Sequence, residues 1–403
     1  MDAPVRTSWL QRADHRLAVA LGERLASDVT VVERAAGWTL HHLDIASPTP
    51  RLLASHGGSL FARDLDHLGP CSGWRHVAAV APPAVRALVA LQPAGDAGWP
   101  TLAAWTRPGD WVQLALRRGI HHAAWLPDGS LVAGLHGRLV RDGGQQWSTA
   151  LRYPGFGKPA RCGVLADRQG RVWVAQYALN RDRSQAMHLW RSDDGGRTFA
   201  VARTWQPGTV RHLHFIQQDP YDGALWLGSG DRDSECGIWR SADGETWQQL
   251  GGGSQTWRAV ALAFTPTSVV WGTDAGSDAA AFTNVAVRWD RASQTLHSGQ
   301  ALPGPVHGAT AWLDGRVLLA TGCEGGANEQ DGRVHLWLGE TDGTWRELAS
   351  WRQGPQPRRV QYAVAHLLPG QDGQRDLWVQ LRGVAAMPLG YVRLRLANGA
   401  RLG

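Results

Sequence analysis

Residues 211–250 read RHLHFIQQDPYDGALWLGSGDRDSECGIWRSADGETWQQL. Four short strand-like runs alternate here with turn clusters. HLHFI leads into Asp219-Pro220-Tyr221-Asp222-Gly223, then ALWLGSG, a polar loop, GIWRS, the turn Ala242-Asp243-Gly244, and a last run opened by Trp247. Trp, Ile and Leu suit a half-buried pleated surface, while Asp, Pro and Gly suit tight turns. The same unit recurs on both sides. Residues 161–199 (RCGVLADRQGRVWVAQYALNRDRSQAMHLWRSDDGGRTF) are a second copy. Further copies start near Gly119 (IHHAAWLPDGSLVAGLHGRLVRDGGQQW), Arg258 (RAVALAFTPTSVVWGTDAGSD), His307 (HGATAWLDGRVLLATGCEGG) and Val360 (VQYAVAHLLPGQDGQRDLWVQLRGV), with a weaker one from Arg75. A repeat of about 40–50 residues with four strands is the spacing of propeller blades. Radial stacking then buries both faces of each small sheet.

The expectation is therefore an all-β fold: a β-propeller of four-stranded blades, seven by count, with eight the alternative. One domain spans 1–403, with repeats from about residue 76. Residues 28–75 supply extra strand-like pieces (VTVVERA, WTLHHLDI, RLLASH, SLFARDL) as closing strands. Residues 1–27 form a short N-terminal helical extension, with Leu10, Leu17, Leu21 and Leu25 on one helical face. Composition agrees: 22 Trp and 49 Gly in 403 residues suit many short strands between tight turns.

The net charge is +6, but the basic residues are scattered and nearly all are Arg, with Lys158 the single lysine. No basic block or helix points to nucleic acid. No apolar run approaches the roughly 18 residues of a membrane span. Cys71, Cys162, Cys236 and Cys323 are far apart without a CxxC pair, which suits free thiols better than a disulfide scaffold or zinc ribbon. No apolar signal core is evident near the start, so the expected location is cytoplasmic.

Two turns carry a recognisable pattern. Ser192-Asp193-Asp194-Gly195-Gly196-Arg197-Thr198-Phe199 has the form Ser-x-Asp-x-Gly-x-Thr-aromatic, and Ser241-Ala242-Asp243-Gly244-Glu245-Thr246-Trp247 is a one-shorter variant. Degenerate copies are Asp142-Gly143-Gly144 with Trp147, and Thr341-Asp342-Gly343-Thr344-Trp345. These turns resemble the Asp-box (BNR) repeat of bacterial sialidase-like propellers. Ser192, Asp194, Gly196, Ser241, Asp243 and Trp247 are accordingly structural: Ser and Asp tie the hairpin, Gly supplies φ > 0, and the aromatic packs between sheets. Residues 177–274 also resemble a group of sialidase-like proteins described as glycosyl hydrolases. The resemblance rests on Tyr177, Asn180, Arg211-His212-Leu213-His214, Asp219-Pro220-Tyr221, Gly230-Asp231-Arg232-Asp233, Gly253-Ser254-Gln255, Trp257-Arg258 and Trp271-Gly272-Thr273-Asp274. Where that group has Gly-Glu-Tyr, this chain has Ala175-Gln176-Tyr177.

In a propeller the starts of first strands and the ends of second strands meet at one face, around the central channel, opposite the Asp-box hairpins. Binding groups belong on such loops. First-strand starts offer His121, His122, Arg161, Arg211, His212, His214, Arg258, His307, Gln361 and Tyr362. Second-strand ends offer His136, Tyr177, Asn180, Asp231, Asp233, Asp274, Glu324 and Arg382. The candidate catalytic set is His212, His214, Tyr177, Asp231, Glu324 and Tyr362. The candidate substrate-binding set is Arg161, Asn180, Arg211, Arg258, Asp274, His122 and His307.

The resemblance implies a sialidase-like reaction, which needs Arg on a carboxylate, a Tyr nucleophile with a Glu, and an Asp acid. The leading expectation is cleavage of glycosidic bonds in an acidic oligo- or polysaccharide. A polysaccharide lyase with His212 or His214 as base, Tyr177 as acid and Arg258 as clamp is one alternative. A non-catalytic glycan-binding or assembly propeller is the other, and the Gln176 departure leans that way. No cofactor is required on this reading. A divalent metal remains open, because His212 and His214 alternate on one strand and face one side.

Overall fold

The structure is a computed structural model. It describes residues 22–45, 47–56, 58–65, 73–80, 120–135, 137–144, 146–154, 157–312, 314–369 and 376–397. The chain is all-β, with three single-turn 3-10 helices among the described residues. Among the described residues the strands group into seven four-stranded antiparallel units. The first runs Thr39–Asp44, Arg51–His56, Ser59–Asp64 and Arg75–Ala79. Five more occupy residues 122–152, 158–205, 212–252, 263–301 and 306–352. In the seventh, Ala363–Leu367, Asp376–Val384 and Met387–Leu396 are completed by the N-terminal strand Val29–Ala36, which pairs antiparallel with Met387–Leu396.

Each unit touches the next, and the seventh touches the first. Arg51 of the first unit lies 4.2 Å over the Trp125 ring of the second. Arg141 of the second donates to Gly195 O of the third at 2.9 Å. Cys162 of the third pairs with Phe215 of the fourth. Gln217 of the fourth exchanges two hydrogen bonds with the Leu262 backbone at the edge of the fifth. Val306 of the sixth donates to Thr273 O at 2.9 Å, and Gly322 pairs with Val364 of the seventh. The cycle closes through Gln380, whose Oε1 accepts the Leu40 N–H at 2.6 Å while its Nε2 donates to Gly390 O at 2.8 Å. Between the units the large side chains Trp173, Trp226, Trp271, Trp351 and Trp378 are fully buried, which is where the tryptophan-rich second and fourth strands earn their residue type. Gln380→Ala leaves the buried Leu40 N–H without an acceptor. A loss of about 1–3 kcal/mol is expected in urea unfolding.

Three sequence expectations change. Residues 39–79 are a complete unit of their own, so the repeats begin near Thr39 instead of residue 76. Of the supposed closing strands, only Val29–Ala36 joins the last unit. Arg75–Ala79 is the fourth strand of the first unit, not the start of a weak copy; the rest of that copy lies outside the described residues. The expected helix also lies outside them up to residue 21, and Glu23–Leu25 is a strand paired with Trp345–Arg352. An open sheet edge there offers backbone partners, and Glu23 is held by Arg34 at 2.6 Å and by Trp351 Nε1 at 3.1 Å. Tertiary pairing outweighs the weak helical periodicity.

The turns at 192–198 and 241–247 join third to fourth strands. Asp194 accepts from Arg197 N, Thr198 N and Thr198 Oγ1, while Ser192 Oγ donates to Asp194 and accepts from Gly196 N. Asp243 accepts from Ser241 Oγ, Glu245 N and Thr246 N. Gly196 and Gly244 sit at φ +81° and +82°, conformations that glycine adopts without strain. Trp247 meets Trp173 edge-on at 6.3 Å. The connectivity puts these turns on the face opposite the first-strand starts.

Candidate functional site

The site forms where first strands start and second strands end. Asp231 follows the second strand of the fourth unit, Leu225–Gly230, and has φ +141°, a backbone region that side chains other than glycine rarely enter. Its carbonyl is fixed by Gln255 Nε2 at 2.8 Å and Arg258 Nη1 at 2.9 Å. The imposed backbone aims the carboxylate at a cationic surround. Arg211 Nη1 reaches Oδ2 at 2.6 Å and Arg258 Nη2 reaches Oδ1 at 3.1 Å. His212 Nε2 and His214 Nε2 both lie 3.6 Å from Oδ1. Burial alone would raise this carboxyl, but His212 and His214 in their protonated forms, with Arg258, outweigh burial and hold it well below the carboxylate range. Gly230 is required beside it. A Cβ there would stand 2.9 Å from Arg258 Cγ and 3.0 Å from His214 Cε1.

A second cluster lies across Arg258. Arg258 Nε is 3.4 Å from Asp274 Oδ2, and its Nη1 is 3.1 Å from Asp278. His307 Nε2 is 3.2 Å from Glu324 Oε1 and 3.7 Å from Asp274 Oδ1. Burial pushes Asp274 above the usual carboxylate value despite Arg258 and His307. Burial acts upward on Glu324 too, but the His307 hydrogen bond and charge bring it below its ordinary value. Burial would lower His307, yet Asp274 and Glu324 raise it. Two neighbouring carboxyls are thus pushed apart, the usual mark of an acid and a base sharing a site. Gly276 and Gly322 make room for this cluster. A Cβ on the first would meet Glu324 Oε2 at 2.2 Å, and on the second His307 Cδ2 at 2.5 Å.

A third group has the opposite character. Arg161, on Lys158–Ala166, and Arg382, on Asp376–Val384, have no carboxylate partner among the described residues. Arg161 Nη2 and Arg382 Nε are buried atoms without a hydrogen-bond partner. Burial and the Arg382 charge pull Arg161 down to about 9, and burial lowers Arg382 also. Burial, with His42 and Arg161, takes His122 down to about 3. His41 and His366 are likewise lowered by burial, and both feel Arg161 and Arg382. Arg382 pairs with Val364, which in turn pairs with Gly322, two residues before Glu324, so this cationic group adjoins the acidic one.

The structure sorts the sequence candidates. His212, His214, Asp231, Arg211, Arg258, Asp274, His307 and Glu324 are brought together. Tyr177 stacks on His212, ring centroids 4.0 Å apart, and burial pushes its hydroxyl up to about 12. His307 and Tyr362 rings lie 5.9 Å apart, and burial raises Tyr362 well above the tyrosine range. Arg258 is not a free substrate clamp, because three carboxylates surround it. Asn180 is not available either: its amide bonds Gln185 O, Val210 O and Arg211 O, and its Oδ1 accepts from Gln185 N. Asp233 accepts from Gln255 and serves the same loop. Gln176, the Glu-to-Gln departure, is fully buried; its Oε1 accepts from Trp190 Nε1, and its Nε2 has no hydrogen-bond partner. His136 lies outside the described residues.

Sequence reasoning missed His41, His42, His366 and Asp278. The first pair had a visible signal, since Leu40-His41-His42-Leu43 matches Ile120-His121-His122-Ala123, each in or just before the first strand of its unit. Asp278 sits on a 3-10 turn, Ser277–Ala279, outside any repeat.

Two groups hold donor atoms that all lie within 4.8 Å of one another: His212, His214 and Asp231, and Asp274, His307 and Glu324. No helix among the described residues is long and apolar enough to cross a membrane.

No family model and no curated protein matches the chain. Solved structures do. An ancestral GH74 enzyme is 12% identical, with 91% of this chain and 46% of that chain covered at a TM-score of 0.50. A Hadza microbial sialidase is 14% identical over 69% of this chain and 65% of its own, at 0.44. A Dyadobacter fermentans protein of unknown function is 14% identical over 93% and 99%, at 0.42. At these identities the likeness concerns the fold alone, and the fold is that of a β-propeller.

Proposed function

We propose that the protein cleaves glycosidic bonds in an acidic oligo- or polysaccharide at the channel face, as a sialidase-like Asp-box propeller. The carrying observation is the juxtaposition of the Asp274–His307–Glu324 cluster with the unpaired guanidiniums Arg161 and Arg382. The unpaired cations suit an anionic group of the sugar, which would supply the charge-assisted hydrogen bonds they lack. Asp274, raised by burial, is the proton donor to the leaving oxygen. Glu324, kept ionised by His307, is the base or nucleophile on the other side. Their donor atoms are closer than the roughly 6.5–9.5 Å that leaves room for an intervening water, which favours retention of configuration. The lyase reading is weaker, because His212 and His214 both face Asp231 and so are not presented to a substrate proton.

The test is mass spectrometry of acidic oligosaccharides incubated with the protein. Fragments that gain water establish hydrolysis. Fragments summing to the parent mass with an unsaturated end establish elimination and overturn this assignment. Arg382→Gln is expected to raise KM for an acidic substrate about 10–100-fold, the loss of one hydrogen bond to a charged group, and to leave a neutral analogue unaffected. An equal effect on both would remove Arg382 from carboxylate recognition.

A further inference from the structure

The His-x-His pair presents an electrostatic problem that the cleavage chemistry does not use. His212 Nδ1 is 2.9 Å from Ala178 O, and His214 Nδ1 is 2.9 Å from Ala259 O. A carbonyl oxygen only accepts, so both Nδ1 atoms carry the proton. In the neutral rings each Nε2 is then a bare lone pair. Both lone pairs face one carboxylate oxygen, Asp231 Oδ1, at 3.6 Å. That separation is longer than a hydrogen bond. Two imidazole lone pairs and one carboxylate oxygen converge there, and the cation on that oxygen, Arg258 Nη2 at 3.1 Å, makes no hydrogen bond to either Nε2.

We propose that His212, His214 and Asp231 form a three-ligand site for a divalent transition metal ion of the zinc or manganese class. A ligand separation near 3.6 Å is what bonds of about 2.0–2.2 Å give around a tetrahedral ion. The Nδ1–H···O=C bonds are the outer partners that ligating histidines use to fix tautomer and ring orientation. Arg211 engages Oδ2 and Arg258 shares Oδ1, and together they hold the carboxylate in place. Gly230 lets His214 approach, and Tyr177 packs over the outer face of His212. Three protein ligands leave a fourth position open for water or a sugar oxygen. The site stands on this geometry and not on the cleavage reading.

The experiment uses the full chain, stripped with chelator and dialysed at neutral pH. Zn²⁺, Mn²⁺ and Co²⁺ are titrated singly by calorimetry, and the Co²⁺ form is examined by absorption and proton NMR. One equivalent should bind in the micromolar range or tighter. The Co²⁺ protein should show two hyperfine-shifted, solvent-protected Nδ1 protons, one from each histidine. His214→Gln and Asp231→Asn should each weaken binding at least about 100-fold, whereas Glu324→Gln should leave it within about threefold. The NMR signature serves if a ligand variant fails to fold. Absence of saturable binding of all three ions overturns the proposal, as does binding that survives His214→Gln or moves with Glu324→Gln. Failure here leaves the oligosaccharide assay unaffected, so the two readings fall separately.

Discussion

Arg258→Met is expected to be the most destabilising single change at the site, by about 3–5 kcal/mol, because it strands buried carboxylates without their cation. Arg258 reaches Asp231, Asp274 and Asp278 and also the Asp231 carbonyl. Methionine fills the volume but supplies none of these donors. The fourth and fifth units then lose the link that joins the ends of their second strands. The check is urea unfolding of wild type and variant, with Asp278→Ala as control. Asp278 is the most exposed of the three acids, so its loss should change stability by less than about 1 kcal/mol. If the Arg258 variant costs no more than that control, the network is not what holds the channel face together.

Glu324→Gln is expected to lower kcat at least about 100-fold with the fold retained, the scale on which a positioned acid or base contributes. Gln keeps the shape next to Gly276 and the contact with His307, and removes only the charge. The pH profile of the wild type adds a second readout. Glu324 lies below its ordinary 4.5, so the carboxylate persists as pH falls and the acid limb sits below that value. Asp274 lies above its ordinary 3.8, so the proton it must donate persists as pH rises, and the alkaline limb sits above that value. Activity is therefore bounded on the acid side by Glu324 and on the alkaline side by Asp274, and Glu324→Gln should erase the acid limb. An unshifted profile with unchanged kcat would assign the chemistry elsewhere.

The repeated units were legible because each strand pair carries its own turn residues and its own Trp, so the pattern survives without tertiary information. The first unit, residues 39–79, does not stand out in the sequence, because the segment before Arg75 lacks the Ser-x-Asp-x-Gly pattern found at 192–198 and its one-shorter form at 241–247. The His-His dipeptide was the better guide there. The candidate site was legible as a set of residue types at strand ends. Which of them pair with one another was not. Arg258 and Asn180 read as recognition groups, yet one is encircled by acids and the other by backbone carbonyls. Their neighbours come from loops between units, and nothing in the local sequence of either residue reports that encounter. Arg161 and Arg382 stand out for the opposite reason: their lack of acidic partners is visible only when the neighbouring first strands are in place.

The strand Val29–Ala36 finishes a sheet whose other strands begin more than 300 residues later, with Glu33 opposite Arg393. Bringing those ends together carries the loop-closure entropy of nearly the whole chain, and contacts of such long range form slowly. Six units can condense from local hairpins, but the seventh cannot be finished until the far end of the chain arrives. Ring closure is thus the natural kinetic bottleneck of folding. Because the seventh unit touches the first, loosening that one seam also frees the two units flanking it, and the molecule should respond to denaturant as one cooperative circle instead of an array that frays from its ends.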